Sequence, residues 1–327
     1  MTMPLSEFRI TRPSSLAEAV AVRQAQPSGR FIAGGTDLLV NLRHGISQPD
    51  VLIDLSALPE LSGLHYSVDG ATIGAGVTIA ALASSRTIAE QYPALSQAAH
   101  AIAGPGHRAM GTVGGNLCLD TRCTYYNQSG WWRQANGYCL KSGGDTCRVA
   151  PKGTRCHAAF TGDLAPALLV LAAEVDIAGP AGLRRTPLAE IYAEDGRAHL
   201  TLADGELIAA VHLPANRLVS AYEKVRLRGS IDYPLAGVAA ALSMADGRIV
   251  ALRIALTGTN SRPFLLAGTG DLVGRSIDEQ TLRHIDGMVQ KQVQPMRTTL
   301  VPANYRRLAA AAVARRLVRK LSSGCGA

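Results

Sequence analysis

Cysteines constrain this chain more than any other feature. Five of its six, Cys118, Cys123, Cys139, Cys147 and Cys156, fall in one stretch, set among Tyr125, Tyr126, Trp131, Trp132 and five glycines between 130 and 153. So long a loop, rich in glycine, has no core of its own and needs a common anchor. No apolar run near the N-terminus resembles a signal peptide, which points to a reducing, cytoplasmic setting and makes a disulfide framework the weak reading. Metal is the stronger one.

Spacing bears on which metal. Structural zinc sites draw thiolates in pairs two to four residues apart, because a tight knuckle presents two sulfurs to one tetrahedral ion. Successive steps among the last four cysteines are 16, 8 and 9 residues, and the nearest approach, Cys118 to Cys123, leaves four residues between. A cubane iron–sulfur cluster is larger and takes one thiolate per iron, so its ligands can come from a wide loop. Spacing therefore ranks an iron–sulfur cluster ahead of zinc, with unligated thiols third, since soft thiolates serve either metal.

Two glycine loops flank this stretch in sequence. Arg30-Phe-Ile-Ala-Gly-Gly-Thr-Asp-Leu-Leu39 lies far upstream, and Gly111-Thr-Val-Gly-Gly-Asn-Leu117 directly before the cysteines; Thr161-Gly-Asp-Leu164 follows them. Glycine pairs followed by small polar residues suit a diphosphate, because backbone N–H groups reach its oxygens only where no side chain intervenes. At the first loop a short strand runs into Gly34-Gly35, and Thr36 or Asp37 can cap a helix over 38–44, a junction favourable to an anion. The spacing is not G-x-G-x-x-G, and a plain tight turn is the competing reading.

Together these pieces resemble the flavin-binding subunit of the molybdenum hydroxylase (xanthine oxidase) family. Asn116-Leu-Cys-Leu-Asp-Thr-Arg-Cys-Thr-Tyr-Tyr-Asn-Gln-Ser129 and Trp131-Trp-Arg133 resemble its 4-hydroxybenzoyl-CoA reductase branch, whose beta subunit carries an extra [4Fe-4S] cluster in such a loop. The resemblance spans essentially the whole chain and implies an α+β fold. A PCMH-type FAD-binding domain of two α/β subdomains would occupy 1–57 and 58–216, the second interrupted by the cysteine insertion at about 118–160. A C-terminal domain like that of CO dehydrogenase flavoproteins, a small antiparallel sheet with helices, would follow at 217–327.

The same resemblance assigns residues. Phe31, Ile32, Ala33, Gly34, Gly35, Thr36, Asp37 and Leu38 would wrap one side of the FAD diphosphate, and Thr112, Gly114, Gly115 and Asn116 the other. The backbone at Leu119 would lie near the flavin ring, Asp163 would accept a hydrogen bond from the cofactor, and Lys224 would place a cation nearby. The plainer alternatives are helix capping for Asp163, worth about 1 kcal/mol, and an exposed strand position for Lys224. Cys123, Cys139, Cys147 and Cys156 match the cluster ligands. Cys118 is left as a small buried hydrophobe, Cys325 as an unligated thiol in a fraying end, and the tryptophan pair as a shield for the cluster or packing for the insertion.

No catalytic residue is implied on this chain. By resemblance, reduced ferredoxin would supply electrons that pass through FAD and the cluster to a small [2Fe-2S] subunit. They would then reach a molybdenum-cofactor large subunit in a heterohexamer of two heterotrimers, where 4-hydroxybenzoyl-CoA becomes benzoyl-CoA. The alternative is an ordinary hydroxylase subunit passing electrons outward to NAD or a quinone, with the cysteine loop structural. A third reading, not enzymatic, is a metal-dependent interaction module.

Composition adds exclusions. A hydrophobic share of 47% with 18% charged residues is ordinary for a globular chain, and no apolar run approaches the length of a membrane span. The formal charge of +8 raises nucleic acid, but no base-reading motif accompanies it. Its one cluster, Arg306, Arg307, Arg315, Arg316, Arg319 and Lys320, reads as a solvated helix face or a docking face for an acidic partner subunit or electron donor. Elsewhere the pattern predicts helices over 16–23, 79–84, 92–103 and 164–173, and strands over 51–55, 71–75 and 174–177, with His107 in a loop. After a break at 214–218, a meander over 220–227, 235–244 and 248–257 turns at Ala245-Asp-Gly247. Helices over 278–290 and 304–321 close the chain.

Overall fold

The computed structural model describes residues 7–216 and 218–324, so Cys325 lies outside the described residues. The chain opens with β1 (Arg9–Thr11), α1 (Leu16–Ala25), β2 (Arg30–Ile32), α2 (Leu38–Arg43) and β3 (Val51–Asp54), whose strands form a parallel sheet in the order β1-β3-β2. Parallel neighbours need crossover connections, which α1 and α2 supply. Ser15 starts α1: its hydroxyl accepts from the N–H of Glu18 at 3.1 Å, one of the orphan donors of a helix start. β2 ends at Ile32, one residue before the glycine pair.

Next come β4 (Leu64–Ser67), β5 (Gly70–Gly74), α3 (Ile79–Ser84), α4 (Arg86–Gln91), α5 (Pro93–Ala101), α6 (Pro105–Met110), α7 (Val113–Leu117), α8 (Gly130–Ala135), α9 (Leu164–Val170), β6 (Glu174–Gly179), β7 (Gly182–Pro187) and β8 (Leu207–Pro214). The strands make an antiparallel sheet, β4-β5-β8-β6-β7. His107, expected in a loop, sits in α6, and much of the second glycine loop is itself the short helix α7. Pro105 at the head of α6 and the Thr112 cap on α7 set these turns locally, and neither helix is long enough to show a period.

The last part holds β9 (Val219–Val225), β10 (Ala236–Ala245), β11 (Arg248–Thr257), β12 (Phe264–Leu265), α10 (Glu279–Gln292) and α11 (Ala303–Gly324), its strands antiparallel in the order β12-β11-β10-β9. Asp246 and Gly247 both take positive φ, 50° and 71°, as the tight turn between β10 and β11 requires. β10 is buried on both faces, which explains its run of small residues. Ala239 and Ala241 face the main core with α9, while Val238, Ala240 and Leu242 join α10 and α11 in a second core. The whole is an α+β fold, and no helix among the described residues is long and apolar enough to cross a membrane.

The basic cluster on α11 is not one solvated face. Arg306 is fully buried and donates to the carbonyls of Leu235 at 3.1 Å, Met296 at 2.9 Å and Gly258, and to the Thr298 hydroxyl at 3.0 Å. Burial pulls its pKa down to about 10. Arg316 pairs with Glu223 and Arg319 with Glu279, so half of the expected face is engaged within the chain.

Candidate functional site

The two glycine loops meet. A Cβ on Gly34 would stand 1.8 Å from the Met110 carbonyl oxygen, so only glycine lets the first loop lie against the junction of α6 and α7; Gly111 in turn faces the Thr36 hydroxyl. Phe31, Ile32, Ala33, Gly34, Gly35, Asp37 and Leu38 are half-buried along this seam and Thr36 is exposed. Across it, Thr112 caps α7 by accepting from the N–H of Gly115 at 3.1 Å. Gly114 lies in α7, and Leu119 is buried just beyond. Asn116 does something sequence did not foretell: its Oδ1 accepts from the N–H of Leu164 at 3.1 Å, tying α7 to the start of α9.

Asp37 and Asp163 both stand at helix starts, and neither caps with its side chain. The carboxylate of Asp37 faces Arg122 and accepts from Asn41 Nδ2 at 3.2 Å. That of Asp163, 4% exposed, accepts from the Tyr222 hydroxyl at 2.5 Å and from Lys224 Nζ at 3.1 Å. Lys224 is no exposed strand residue, because its side chain is 3% exposed and also reaches the Asp232 carbonyl at 3.1 Å. Burial pushes the Asp163 carboxyl up while the Lys224 ammonium opposes it, and burial draws Lys224 down against the pull of Asp163. Breaking such a buried pair from one side costs about 3–5 kcal/mol.

A third segment, 226–233, closes over these loops. Ile231 packs on Gly104, and the Tyr233 ring lies 5.4 Å from the guanidinium of Arg122. Leu39, Val40, Met110, Ile231 and Tyr233 are large apolar side chains left exposed around the seam, the character of a ligand crevice rather than of ordinary surface. Arg122, Asn41, Tyr222 and segment 226–233 carried no signal in sequence, since each acts through partners remote in the chain.

The cysteine insertion forms the second part of the site. Cys123, Cys139, Cys147 and Cys156 are all buried and unpaired by disulfides, and they line a single cavity closed by Tyr125, Tyr126, Leu140, Lys141, Arg148 and Ala158. Among the described residues, no three His, Cys, Asp or Glu side chains gather as around one metal ion, although all four cysteines line the one cavity. The donor set suits thiolate ligands. The backbone N–H of Ala158 donates to Cys156 at 3.4 Å, and Ser142 Oγ lies 3.3 Å from the Cys139 sulfur. Burial raises the thiol of Cys123 and pushes that of Cys156 up to about 11, so without a bound metal these two thiols stay protonated. Cys118 stays apart, packed against the main core, its thiol pushed up to about 12 by burial.

Arginines fasten the insertion. Arg133, buried on α8, donates to the carbonyls of Tyr126, His44 and Gly45, binding the loop to the end of α2. Arg155 reaches Glu194 and Gln294 at the other end. Arg122, next to Cys123, donates to Asn41 Oδ1 at 3.1 Å and pairs with Asp37, joining the cysteine cavity to the first glycine loop. Trp131 is 75% exposed and shields nothing; Trp132 packs near Tyr125, ring centres 6.2 Å apart. α8 presents only one side to the loop, so adjacent tryptophans cannot both be buried there.

Comparison with known proteins agrees with this geometry. The family model described as the FAD binding domain in molybdopterin dehydrogenase matches residues 6–216, and that of the CO dehydrogenase flavoprotein C-terminal domain matches 220–321. The aldehyde oxidoreductase FAD-binding subunit PaoB of Escherichia coli K12 is 34% identical, over 80% of this chain and 84% of its own length. The carbon monoxide dehydrogenase medium chain of Afipia carboxidovorans is 28% identical over 96% of each. The crystal structure of cyanide-inactivated Cu,Mo-CO dehydrogenase superposes with a TM-score of 0.81 at 26% identity, covering 98% of this chain and 99% of that one. The chain therefore belongs to the FAD-binding subunits of the molybdopterin dehydrogenases.

Proposed function

We propose that this chain is the electron-transferring subunit of a 4-hydroxybenzoyl-CoA reductase, carrying FAD at the two glycine loops and a [4Fe-4S] cluster on Cys123, Cys139, Cys147 and Cys156. One observation carries the reading beyond the family: four cysteines widely spaced in sequence face one buried cavity. When bound, FAD exchanges one or two electrons and the cluster one, which makes a relay between single-electron and two-electron partners.

The chain's own residues position and insulate. Backbone amides of 31–38 and 112–116 would hold the diphosphate, with Thr36 adding a hydroxyl. The buried trio Asp163, Tyr222 and Lys224 fixes β9 against the start of α9 beside that crevice. Arg122 keeps Asp37 and Cys123 in register, and Tyr125, Tyr126 and Leu140 exclude water from the sulfurs. Reduced ferredoxin is the donor in this reading. A small [2Fe-2S] subunit and a molybdenum-cofactor subunit are the partners, and 4-hydroxybenzoyl-CoA reacts on the latter.

A second reading draws on the relatives, named as aldehyde and carbon monoxide oxidising enzymes. In it electrons run outward from molybdenum to NAD or a quinone, and the cysteine loop is structural. The assembled complex decides between them. Reduced ferredoxin should drive formation of benzoyl-CoA from 4-hydroxybenzoyl-CoA without added NAD. Aldehyde-dependent reduction of NAD or a quinone, with no benzoyl-CoA formed, contradicts the proposal.

A further inference from the structure

Lys141 lies in the wall of the four-cysteine cavity, its side chain only 5% exposed. Its ammonium is 2.6 Å from Asp120 Oδ1, 3.2 Å from the Thr121 carbonyl oxygen, bonded to the Thr121 hydroxyl, and 4.5 Å from the centre of the Tyr126 ring. Tyr126 is itself a cavity-lining residue and packs with Cys123, Cys139 and Cys156, so the cation sits over a ring in the wall of the cysteine cavity. Every bond it makes points to a group that fixes its place rather than to solvent. Apart from Arg148, which is exposed and bonded to the carbonyls of Asn136 and Tyr138, Lys141 is, among the described residues, the only cation lining that cavity.

We infer that Lys141 is a positioning residue that sets the reduction potential of the group held by the four cysteines, with Asp120 as its counterweight. This rests on the cluster reading above. Taking up one electron from a one-electron donor makes such a group one unit more negative, and no bond forms or breaks. A fixed cation beside the sulfurs stabilises the reduced form more than the oxidised one, because the interior screens charge weakly. Lys141 therefore raises the potential, and Asp120, about one-third exposed, partly cancels it.

The test is an anaerobic redox titration of the full chain, followed by electron paramagnetic resonance, with iron and flavin counted on each sample. Lys141→Met should lower the ratio of reduced to oxidised cluster at a fixed ambient potential about tenfold, a shift of about 59 mV for one electron. Asp120→Asn should move it the opposite way, and Lys141→Arg should restore most of the loss. A purely structural role cannot give opposite signs at the two positions. Should Lys141→Met fail to retain iron, Asp120→Asn and Lys141→Arg still decide the question. Full iron with an unmoved potential, or shifts of the same sign at both positions, overturns the assignment of Lys141. Absence of iron from the unmutated chain overturns the cluster reading itself, and the assignment with it.

Discussion

The crevice between the glycine loops and the cysteine insertion are built on opposite principles. The crevice is backbone packed on backbone: Gly34 against Met110, α7 held by Thr112, and both backed by the main core through Val113, Leu117 and α9. The insertion has a core of only a few residues, three of them the cysteines Cys123, Cys139 and Cys156, and it is fastened by Arg133 near its middle and Arg155 near its end. One region is held by the fold itself. The other has little apolar surface to bury, and on the proposed function it would draw its order from what the sulfurs bind, as small metal-dependent modules do.

That contrast can be broken from either side. Cys147→Ser should abolish iron binding and open the chain to protease within 118–156, while FAD content stays near one per chain; equal loss of both cofactors would erase the distinction. Gly34→Ala is the converse. Its methyl group would meet the Met110 carbonyl oxygen, costing about 3 kcal/mol or more. FAD should fall at least tenfold with iron retained, as read by absorbance and metal analysis of the same sample.

A smaller effect comes from His199, which lies between the two regions. It is buried beside Phe160, 5.8 Å between ring centres, and burial, helped by the Lys141 cation, lowers its pKa from 6.5 to about 4. Between those values the unfolded chain binds a proton that the folded chain refuses, so stability falls as pH drops from 6.5 towards 4. The full loss is about 3 kcal/mol. His199→Phe should flatten that part of the pH profile in chemical denaturation; an unchanged slope would assign the acid sensitivity elsewhere. Smallest of all, Trp131→Ala should change stability by less than about 0.5 kcal/mol and leave iron content alone, whereas loss of iron would mean that this exposed ring guards the cavity after all.

Which features were legible in sequence follows from how local their causes are. Ser15, Thr78 and Asp278 each bond a backbone N–H three residues on, and the Asp246–Gly247 turn needs only its own dihedrals. These could be read directly. Asp37 and Asp163 occupy cap positions but turn to Arg122 and to Tyr222 with Lys224, far along the chain, and a local rule cannot see such partners. Arg306 vanished into the interior for the same reason, its acceptors coming from three separate segments. Helices as short as α6, α7 and α8 show no period. The glycine loops and the cysteine spacing were visible, but the exclusion of Cys118 from the cavity came only from family likeness and agrees with where its side chain packs.

The central claim is that one polypeptide carries both a flavin and a four-thiolate iron–sulfur cluster. Metal and flavin analysis of the chain purified without oxygen tests it most directly. One FAD and about four iron per chain are expected, with a broad visible absorption beyond that of the flavin which dithionite bleaches. Stoichiometric zinc in place of iron, or a yellow protein whose spectrum is that of flavin alone, would contradict it.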